Sequence, residues 1–334
     1  MSKVALIDGD YLAFAASAAC EKMYYTIKCG TSSFVAPNLT ELKAQVVSSG
    51  HTWDRKSVVV GAIAEPITQV EFCIRGMIDS WVRRAGCTRY KIYLSTYGSF
   101  RKDIAISQPY KGNRAGHKPV HLEATKQLLI NKFKATNVNN DVIFFGKTLP
   151  NKLEADDMLV VEALRLGVQN TVVVTIDKDS LSQPVNTYRL CDDDGVVNGS
   201  CLGKLWLNDK GDVKGYGRKF LYYQMLNGDQ VDTYKLSHLS TSSFGSKSAY
   251  KAIVDCSSDR DCYVSMIETT KRLYPEEFTH TCHNGIDHRL SWLNMLDESL
   301  YMAKMVSRVN DSGQATISTG MIDIIKWYKL EDML

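Results

Sequence analysis

The chain has 334 residues, which suits one large domain or two smaller ones. Hydrophobic residues make up 44% and charged residues 23% of the chain, which excludes a disordered protein and provides a sizeable core. The 40 lysines and arginines nearly balance the 37 acids, so the net charge of +3 does not by itself indicate a polyanion-binding protein.

The cysteines and the apolar runs exclude further classes. The nine cysteines are scattered and form no CxxC pair, so they predict reduced thiols rather than a disulfide framework. Cys282-His283 is too short a cluster for a zinc site. No apolar run is long enough to span a membrane, and the start of the chain lacks the layout of a signal peptide. We therefore expect a cytoplasmic protein.

Apolar runs alternate with helical periodicity over the first half of the chain. Residues 3–7 predict a strand buried on both faces that ends at Asp8, and residues 11–19 predict a helix. Further strands are predicted at 24–27, 58–64, 90–94, 142–145 and 171–176, and helices at 39–47, 66–84, 122–133 and 154–166. This alternation favours an α/β fold with a mostly parallel sheet flanked by helices.

The second half of the chain has turn sequences followed by helical patterns. The triple aspartate 192–194 has turn composition and lacks the ligand spacing of a calcium loop. Residues 233–310 predict mainly helix, including an amphipathic segment from His288 to Arg308. We expect an α/β core over residues 1–190, and over residues 191–334 a β-turn insertion with a helical C-terminal part.

A basic segment interrupts the predicted core at about residues 97–135. Glycine and proline punctuate it, so a loop or a loosely formed arch is expected. Its first five cations are Arg101, Lys102, Lys111, Arg114 and Lys118. Such a run is commonly a solvated surface, but Tyr97, Phe100 and Tyr110 accompany the cations, a pattern suited to stacking bases while neutralising phosphates.

Acidic residues recur in four separated groups. These are Asp8 with Asp10, Glu154 with Asp156 and Asp157, Asp177 with Asp179, and Asp229 with Asp232. Any one of them alone could be a helix cap or a turn. Two groups follow predicted buried strands, whose carboxyl ends are the usual place for sites in such sheets. Gathered carboxylates need cations between them, and Mg²⁺ prefers oxygen ligands, so the pattern favours a metal-dependent nuclease.

Five short segments resemble the flap endonuclease/5′-nuclease family in their order and approximate spacing. They are VALIDGDYLAF (4–14), PYKGNR (109–114), LEADDM (153–158), VTIDKD (174–179) and GDQVD (228–232). The resemblance is greatest to bacteriophage 5′–3′ exonucleases, which also act as ribonuclease H on RNA primers. It implies a resolvase-like or PIN-like α/β domain with a helix–three-turn–helix element and a helical arch or gateway.

The resemblance also implies site residues and cofactors. Two Mg²⁺ ions are implied, for which Mn²⁺ can substitute. Asp8, Glu154 and Asp156 match ligands of the first ion, with Asp157 beside them; Asp177, Asp179 and Asp232 match ligands of the second, with Asp229 acting through water. Lys111 and Arg114 match basic residues directed at the scissile phosphate, where cations offset developing charge.

Nucleic-acid contacts are expected from further residues. Tyr110 matches an aromatic on which a terminal base stacks, and Arg101, Lys102 and Lys118 are expected to contact the nucleic acid. Gly245, Ser246 and Lys247 could place backbone amides and a cation on a duplex phosphate. Their segment has one glycine where the family has a glycine hairpin, so K⁺ binding there is not favoured.

Two substitutions depart from the family pattern. Thr96 stands where an acid is usual, so Asp10 or Asp103 would have to compensate, or the first ion binds more weakly. Thr233 replaces the usual asparagine after the last aspartate.

The expected function is two-metal hydrolysis of phosphodiester bonds at DNA 5′ ends, flaps or RNA–DNA primers, in phage DNA replication or recombination. We expect a monomer in the host-cell cytoplasm that acts with replication proteins and binds no membrane. One alternative is an inactive DNA-binding protein on the same fold, which is favoured only by the threonine at position 96 in place of an acid. Another alternative is a PIN-type ribonuclease. A phosphotransferase with Asp8 as nucleophile is disfavoured, because Leu12 occupies the position of its usual hydroxyl residue.

Overall fold

A computed structural model describes residues 2–96, 98–113, 116–192 and 195–334. The chain divides into two compact units. Unit 1 consists of Met1–Asp8, Trp81–Arg114 and Thr136–Leu334, and unit 2 consists of Gly9–Ser80 and Ala115–Ala135. The boundary expected at residue 190 remains a prediction.

The strands and helices are numbered in chain order. The strands are β1 (Val4–Asp8), β2 (Glu21–Cys29), β3 (Ser32–Ala36), β4 (Val59–Ala64), β5 (Arg89–Ser95), β6 (Thr136–Val138), β7 (Val142–Phe144), β8 (Lys147–Leu149), β9 (Thr171–Thr175), β10 (Asn186–Arg189), β11 (Val196–Asn198), β12 (Lys204–Leu207), β13 (Val213–Tyr216), β14 (Phe278–Thr281), β15 (Asp287–Leu290) and β16 (Ala315–Ile317). The helices are α1 (Gly9–Ala19), α2 (Leu39–Ser48), α3 (Ile67–Arg84), α4 (Phe100–Ile104), α5 (Leu122–Phe133), α6 (Ala155–Leu166), α7 (Arg218–Asn227), α8 (Ser246–Ile253), α9 (Asp259–Leu273), α10 (Trp292–Ala303) and α11 (Met321–Trp327). Short 3₁₀ helices lie at Arg55–Ser57, Val168–Asn170, Lys178–Ser182 and Glu331–Met333.

Unit 1 is built on a six-stranded sheet with the order β11-β10-β9-β1-β5-β6. All neighbouring strands are parallel except β11, which runs antiparallel to β10 at the edge. The valine-rich strand β9 is buried along its whole length, as expected for a parallel strand covered on both faces. The predicted α/β class with a mainly parallel sheet is therefore confirmed.

The order of the strands decides which loops meet. Strand β1 lies between β9 and β5, so Asp8 at the end of β1 and the segment after Thr175 emerge at the same edge. Helix α6 packs against β1, β5 and β9 through buried residues such as Leu159 and Val160. Its amino-terminal turn therefore faces this edge together with the two strand ends.

The C-terminal part of unit 1 is less helical than expected. Strands β14 and β15 form an antiparallel hairpin within residues 233–310, so the prediction of a mainly helical segment misses this hairpin. Its turn contains Asn284 and Gly285, and the glycine has a φ of +80°, which suits a tight turn. His288 lies in β15, and helix α10 starts at Trp292 because Ser291 and Asn294 form a capping box.

Helices α7 to α10 surround an apolar core of their own, formed by buried residues that include Met225, Met266 and Leu296. Between α7 and α8, residues 228–245 form a series of turns. After α10, strand β16 pairs in parallel with β7, so the strand predicted at 142–145 belongs to a separate three-stranded sheet with β8 and β16.

Unit 2 contains the antiparallel sheet β3-β2-β4 and the helices α1, α2 and α5, with most of α3. Helix α1 packs against α5, where the hydroxyls of Ser17 and Thr125 are 2.7 Å apart. Ile27, Leu42 and Val46 are the centre of a small apolar core. In the described ranges of both units, no helix is long and apolar enough to cross a bilayer.

Candidate functional site

The first turn of α6 explains why several acids can lie together in the sequence. Glu154 is the N-cap residue, and Asp156 and Asp157 lie in the first turn, where the helix dipole favours negative charge. Ser95, at the end of β5, accepts a hydrogen bond from the backbone N–H of Ala155 (2.9 Å). These contacts account for an acidic helix start, but not for its burial inside unit 1.

Arg101 is a buried counter-ion for two of these acids. Its side chain is 4% exposed, and its guanidinium donates to both carboxylate oxygens of Asp157 (2.9 and 3.0 Å) and to Glu154 Oε2 (3.0 Å). Asp157 is fully buried and also accepts from the backbone N–H of Val306 (2.8 Å). Arg101, predicted as a nucleic-acid contact, therefore lies within the acidic cluster rather than on the surface.

Glu154 is held in its ionised form by cations. Lys111 Nζ lies 2.6 Å from its Oε1, and Ser99 Oγ donates to its Oε2 (2.6 Å). Burial alone would raise the pKa of Glu154, but the positive charges of Lys111 and Arg101 lower it to about 2. The oxygens of Glu154 and Asp157 are thus already used by the chain's own donors.

Tyr110 is buried as well, at 6% exposure. Its hydroxyl donates to Asp232 Oδ2 (3.0 Å) and lies 3.4 Å from Glu154 Oε2. Tyr110 thereby joins the acidic group at the start of α6 to the group that follows α7. This orientation differs from the exposed stacking surface that the sequence predicts for Tyr110.

Two non-glycine residues beside this tyrosine adopt left-handed backbone conformations. Lys111 has a φ of +57° and Thr233 a φ of +58°. The two turns are joined, since the N–H of Lys111 donates to the carbonyl of Asp232 (2.9 Å). Such strain persists where the surroundings impose it, and it collects at functional sites. The positive φ of Thr233 also explains why asparagine suits this position, because asparagine tolerates a left-handed conformation better than a β-branched residue does.

A second kind of carboxylate lies next to these paired acids. Burial and the negative charges of Asp8 and Asp177 raise the pKa of Asp156 well above its ordinary value. Asp8 is 8% exposed and accepts a hydrogen bond from Thr175 Oγ1 (3.2 Å). The ends of β1 and β9 and the start of α6 therefore bring three acids together, and the nearby cations do not fully offset their charge.

A second group of acids, which follows β9 and α7, adjoins the first group through Asp177. Burial and the charges of Asp177 and Asp229 raise the pKa of Asp179 well above its ordinary value. Asp229 behaves differently: burial would raise its pKa, but the ion pair with Lys178 (2.6 Å) lowers it. Gly228, which precedes this turn at a φ of +76°, could not be replaced without a clash, since a Cβ would lie 2.2 Å from the carbonyl oxygen of Tyr234.

Three buried polar atoms border the group around Asp179. Gln224 Oε1, Thr233 Oγ1 and the hydroxyl of Tyr234 have no hydrogen-bond partner within the described residues. The Gln224 amide nitrogen donates to Asp179, and burial and the charges of Asp179 and Asp229 raise the pKa of Tyr234. Because buried polar atoms are normally satisfied, each of these three atoms could form a further hydrogen bond to a water, including a water of a hydrated cation.

The fit to a divalent cation can be judged from these donors. Within the described residues, no group of three or more His, Cys, Asp or Glu side chains has the arrangement of a complete metal site. Glu154 and Asp157 form ion pairs with Arg101 and Lys111, so their oxygens are not open to a metal ion. Mg²⁺ keeps several waters and needs only one or two carboxylates directly, so the under-neutralised acids fit a hydrated ion by their chemistry.

The remaining predicted residues lie in several places. Lys102 is exposed on α4, and Lys118 is exposed in unit 2. Gly245 is the N-cap of α8, and Ser246 and Lys247 form the exposed start of that helix. Arg114 lies outside the described residues. Ser246 Oγ is 2.8 Å from the hydroxyl of Tyr223, a side chain close enough to Lys178 and Asp229 for their charges to act on its pKa.

The position that departs from the family pattern is occupied by a hydroxyl with a structural contact. Thr96 Oγ1 donates to the backbone carbonyl of Val138 on the neighbouring strand β6. Of the two acids considered as substitutes, Asp103 pairs with Lys152 (3.0 Å), and Asp10 belongs to unit 2, where it pairs with Lys126 (2.8 Å).

Sequence reasoning missed several participants. Ser99, Lys178 and Gln224 each contact one of the acids directly. Ser99 had a signal as the N-cap of a short helix, and Gln224 had one as an amide between apolar and aromatic residues of α7. Lys178 had none beyond its position between two aspartates.

The chain has a similarity to a solved structure that is confined to the fold level. No family model matches it, and no curated protein matches it. Among solved structures, it is similar to T5 D15 protein co-crystallized with metal ions, with 12% identity and a TM-score of 0.40, over 91% of this chain and 85% of that one. Since a similarity of this size assigns no activity, function has to be argued from the site.

Proposed function

We propose that the chain is a metal-dependent 5′ nuclease that hydrolyses phosphodiester bonds at DNA 5′ ends, flaps or RNA–DNA primers. The observation that carries the proposal is the convergence of Asp8, Asp156 and Asp177, whose mutual repulsion raises the pKa of Asp156. A cluster of buried and half-buried acids with too little positive charge is unfavourable unless a cation compensates it. The mainly parallel sheet and the turns between α7 and α8 suit a PIN-like fold with a helix–three-turn–helix element.

The acids would divide between two hydrated ions. Asp8 and Asp156 would hold the first, and Asp177, expected from the sequence at the second ion, would join them because its charge acts on Asp156. Glu154, expected at the first ion, is engaged with Asp157 by Arg101 instead. Asp179, Asp229 and Asp232 would hold the second, beside the unsatisfied oxygens of Gln224 and Tyr234. When bound, such ions lower the pKa of a water and offset charge on the phosphate.

Lys111 would contact the substrate phosphate. Its ammonium lies 2.6 Å from Glu154, at the border between the two acidic groups, on a backbone held in a strained conformation. A cation fixed at this place can stabilise negative charge that develops on a phosphate oxygen. Arg114 is proposed to assist it.

Nucleic-acid binding would come from exposed residues in each of the two units. Lys102 and Lys118 are exposed and would contact phosphates, as would the amides and the ammonium group at Gly245, Ser246 and Lys247. These contacts are sequence-independent and therefore sensitive to salt. Because the ring of Tyr110 is buried, this residue would position the carboxylates of Asp232 and Glu154 through its hydroxyl and would not stack on a base.

A second candidate function is DNA binding without cleavage. It is favoured by two observations: Arg101 and Lys111 already neutralise Glu154, and Thr96 supplies a hydroxyl where a carboxylate was expected. A PIN-type ribonuclease differs from both in its substrate. Cleavage products separate the three possibilities.

The experiment is digestion of end-labelled duplex DNA, 5′-flap DNA and an RNA–DNA hybrid with Mg²⁺, with Mn²⁺ and with excess chelator. We expect cleavage only with metal, and loss of at least about 100-fold in turnover for Asp156→Ala, because a metal ligand of the reaction is removed. Asp209→Ala removes an exposed turn acid of unit 1 and serves as the matched control. DNA affinity of both variants is measured by a gel-shift assay.

The outcomes are distinct. Undiminished cleavage in excess chelator would contradict the metal mechanism. No cleavage of any substrate, with DNA affinity retained, would favour the binding function. Cleavage of RNA alone would favour the ribonuclease. Mononucleotide release from 5′ ends would identify an exonuclease, and a short oligomer cut at the junction would identify a flap endonuclease.

A further inference from the structure

Unit 1 contains a cavity of about 640 Å³ that shares none of the predicted metal ligands. Its walls come from α10, the segment that follows it, β16 and α11. The volume lies in the range of pockets that bind small molecules and cofactors. The lining combines aromatic rings, two cations and several hydroxyls, and these include Tyr301, Lys304, Arg308, Thr319, Trp327 and Tyr328.

The two cations give this cavity a positive character. Neither Lys304 nor Arg308 forms a salt bridge with any residue in the described ranges. Lys304 is reachable from solvent, yet partial burial lowers the pKa of its ammonium group, because no opposite charge compensates it. Asp323 is the one acid among the described lining residues, and it caps α11 by accepting from the backbone N–H of Gly320 (3.0 Å). An anion would supply the missing countercharge.

The aromatic side chains provide an open ring surface in the same cavity. Trp327, the last residue of α11, is 83% exposed and makes no ring contact within the described residues. The other rings are packed: Tyr328 lies 5.0 Å from Tyr263, and Tyr301 lies 5.1 Å from Phe144, between ring centroids. An indole this exposed loses water contacts favourably when a flat ligand covers it.

We propose that this cavity binds a nucleotide unit, with the base against Trp327 and the phosphate held by Lys304 and Arg308. A nucleotide combines a flat aromatic ring with an anion, which are the two features that the lining complements. Stacking of a base on an aromatic side chain contributes about 1–3 kcal/mol, and arginine binds phosphate oxygens with paired hydrogen bonds. The hydroxyls of Ser307, Ser318 and Thr319 also line the cavity and can donate to the phosphate or to the sugar.

The cavity wall is in direct contact with the acidic cluster. Arg101 donates to the backbone carbonyl of Lys304 (3.0 Å), and the N–H of Val306 donates to Asp157 (2.8 Å). The segment that carries both cations is thus anchored by the buried ion pair of the candidate site. A nucleotide in this cavity would be held next to that site, although no proposed metal ligand would contact it.

The test measures binding by isothermal titration calorimetry in the presence of chelator, so that it does not depend on nuclease activity. The ligands are thymidine 5′-monophosphate, thymidine, inorganic phosphate and a tetrathymidylate. We expect the monophosphate or the tetramer to bind at least about tenfold more tightly than thymidine or phosphate, because only they offer both features. Preference for the tetramer identifies a single-strand end as the ligand, and preference for the monophosphate identifies a free nucleotide.

Two variants and two matched controls locate the ligand. Trp327→Ala and Arg308→Gln should each weaken binding about tenfold, corresponding to loss of a stacked base or of a charged hydrogen bond. Trp206→Ala changes another partly exposed tryptophan, and Lys326→Gln changes an exposed cation of α11 that does not line the cavity, so both should bind normally. Circular dichroism verifies that each variant is folded. Absence of saturable binding at millimolar ligand, or equal affinities of all four variants, would overturn the proposal.

Discussion

Glu154 and Asp156 are two residues apart at the start of one helix, yet their carboxyl groups have opposite electrostatic environments. Cations lower the pKa of Glu154 to about 2 against the effect of burial, whereas burial and other acids raise the pKa of Asp156. The difference arises from the direction in which each side chain points. Glu154 faces Arg101 and Lys111, and Asp156 faces the carboxyl ends of β1 and β9.

This difference separates two roles within one cluster. The paired acids Glu154 and Asp157 tie α4 and the segment after α10 to the start of α6 through Arg101. Within the described residues, neither the half-buried Asp156 nor the buried Asp179 forms an ion pair, so both carboxylates are costly to keep ionised. The first set stabilises the architecture, and the second is available for chemistry. Three measurements can sharpen or break this distinction.

The largest expected effect is that of Arg101→Met. It leaves the fully buried carboxylate of Asp157 without its cation, and removal of one partner of a buried ion pair costs about 3–5 kcal/mol. We expect the free energy of unfolding, measured with urea, to fall by that amount. Arg289→Met is the control, since its ion pair with Glu277 is exposed and should contribute less than about 1 kcal/mol. Equal losses for both variants would show that Arg101 is not a buried counter-ion.

An intermediate effect is expected for Asp156→Asn. Without metal, removal of one repelling charge should leave the free energy of unfolding unchanged or raise it by about 1 kcal/mol, since one pKa unit corresponds to 1.36 kcal/mol. Mg²⁺ at 10 mM should stabilise the unsubstituted chain by about 1 kcal/mol through binding to the folded state, and the variant by less. Asp157→Asn is the contrasting variant and should be destabilised without metal. A loss of stability for Asp156→Asn equal to that for Asp157→Asn would contradict the division into two roles.

The smallest effect concerns pH and a neutralised acid farther along α6. Burial would raise the pKa of Glu162, but hydrogen bonds from Arg165 (2.7 Å) and Lys91 (2.6 Å) lower it to about 2. Its folded pKa lies below its unfolded value, so its stabilising contribution is complete above about pH 4.5 and is lost as the pH falls towards 2. Because both cations are partly exposed, we expect about 1 kcal/mol.

The pH effect is checked by urea unfolding between pH 3 and 6. Glu162→Gln should flatten this dependence, while Glu268→Gln, an exposed acid on α9, should leave it as it is. An unchanged slope in Glu162→Gln would show that the two cations do not shift the pKa of Glu162.

Local chemistry made part of the structure predictable. The apolar runs that became β1 and β9, and the acidic helix start at Glu154, follow from residue pattern alone, since buried parallel strands and dipole-favoured acids have short-range signatures. The hairpin at β14 and β15 was hidden, because its strands are short and mostly polar and its turn rests on Asn284 and Gly285.

Only the tertiary structure decided which side chains share a site. Asp8 lies about 150 residues before Asp156, and helix α6 and strand β9 separate Asp156 from Asp177. The strand order β9-β1-β5 brings all three acids to one edge of the sheet. The same packing turned Arg101 and Tyr110 inward, although their sequence neighbourhood is that of a basic loop. Sequence determined where charge accumulates along the chain, whereas folding determined which charges are neutralised. The reason is that the partner of a buried charge is set by distance in space and by desolvation, and neither is a property of a short segment.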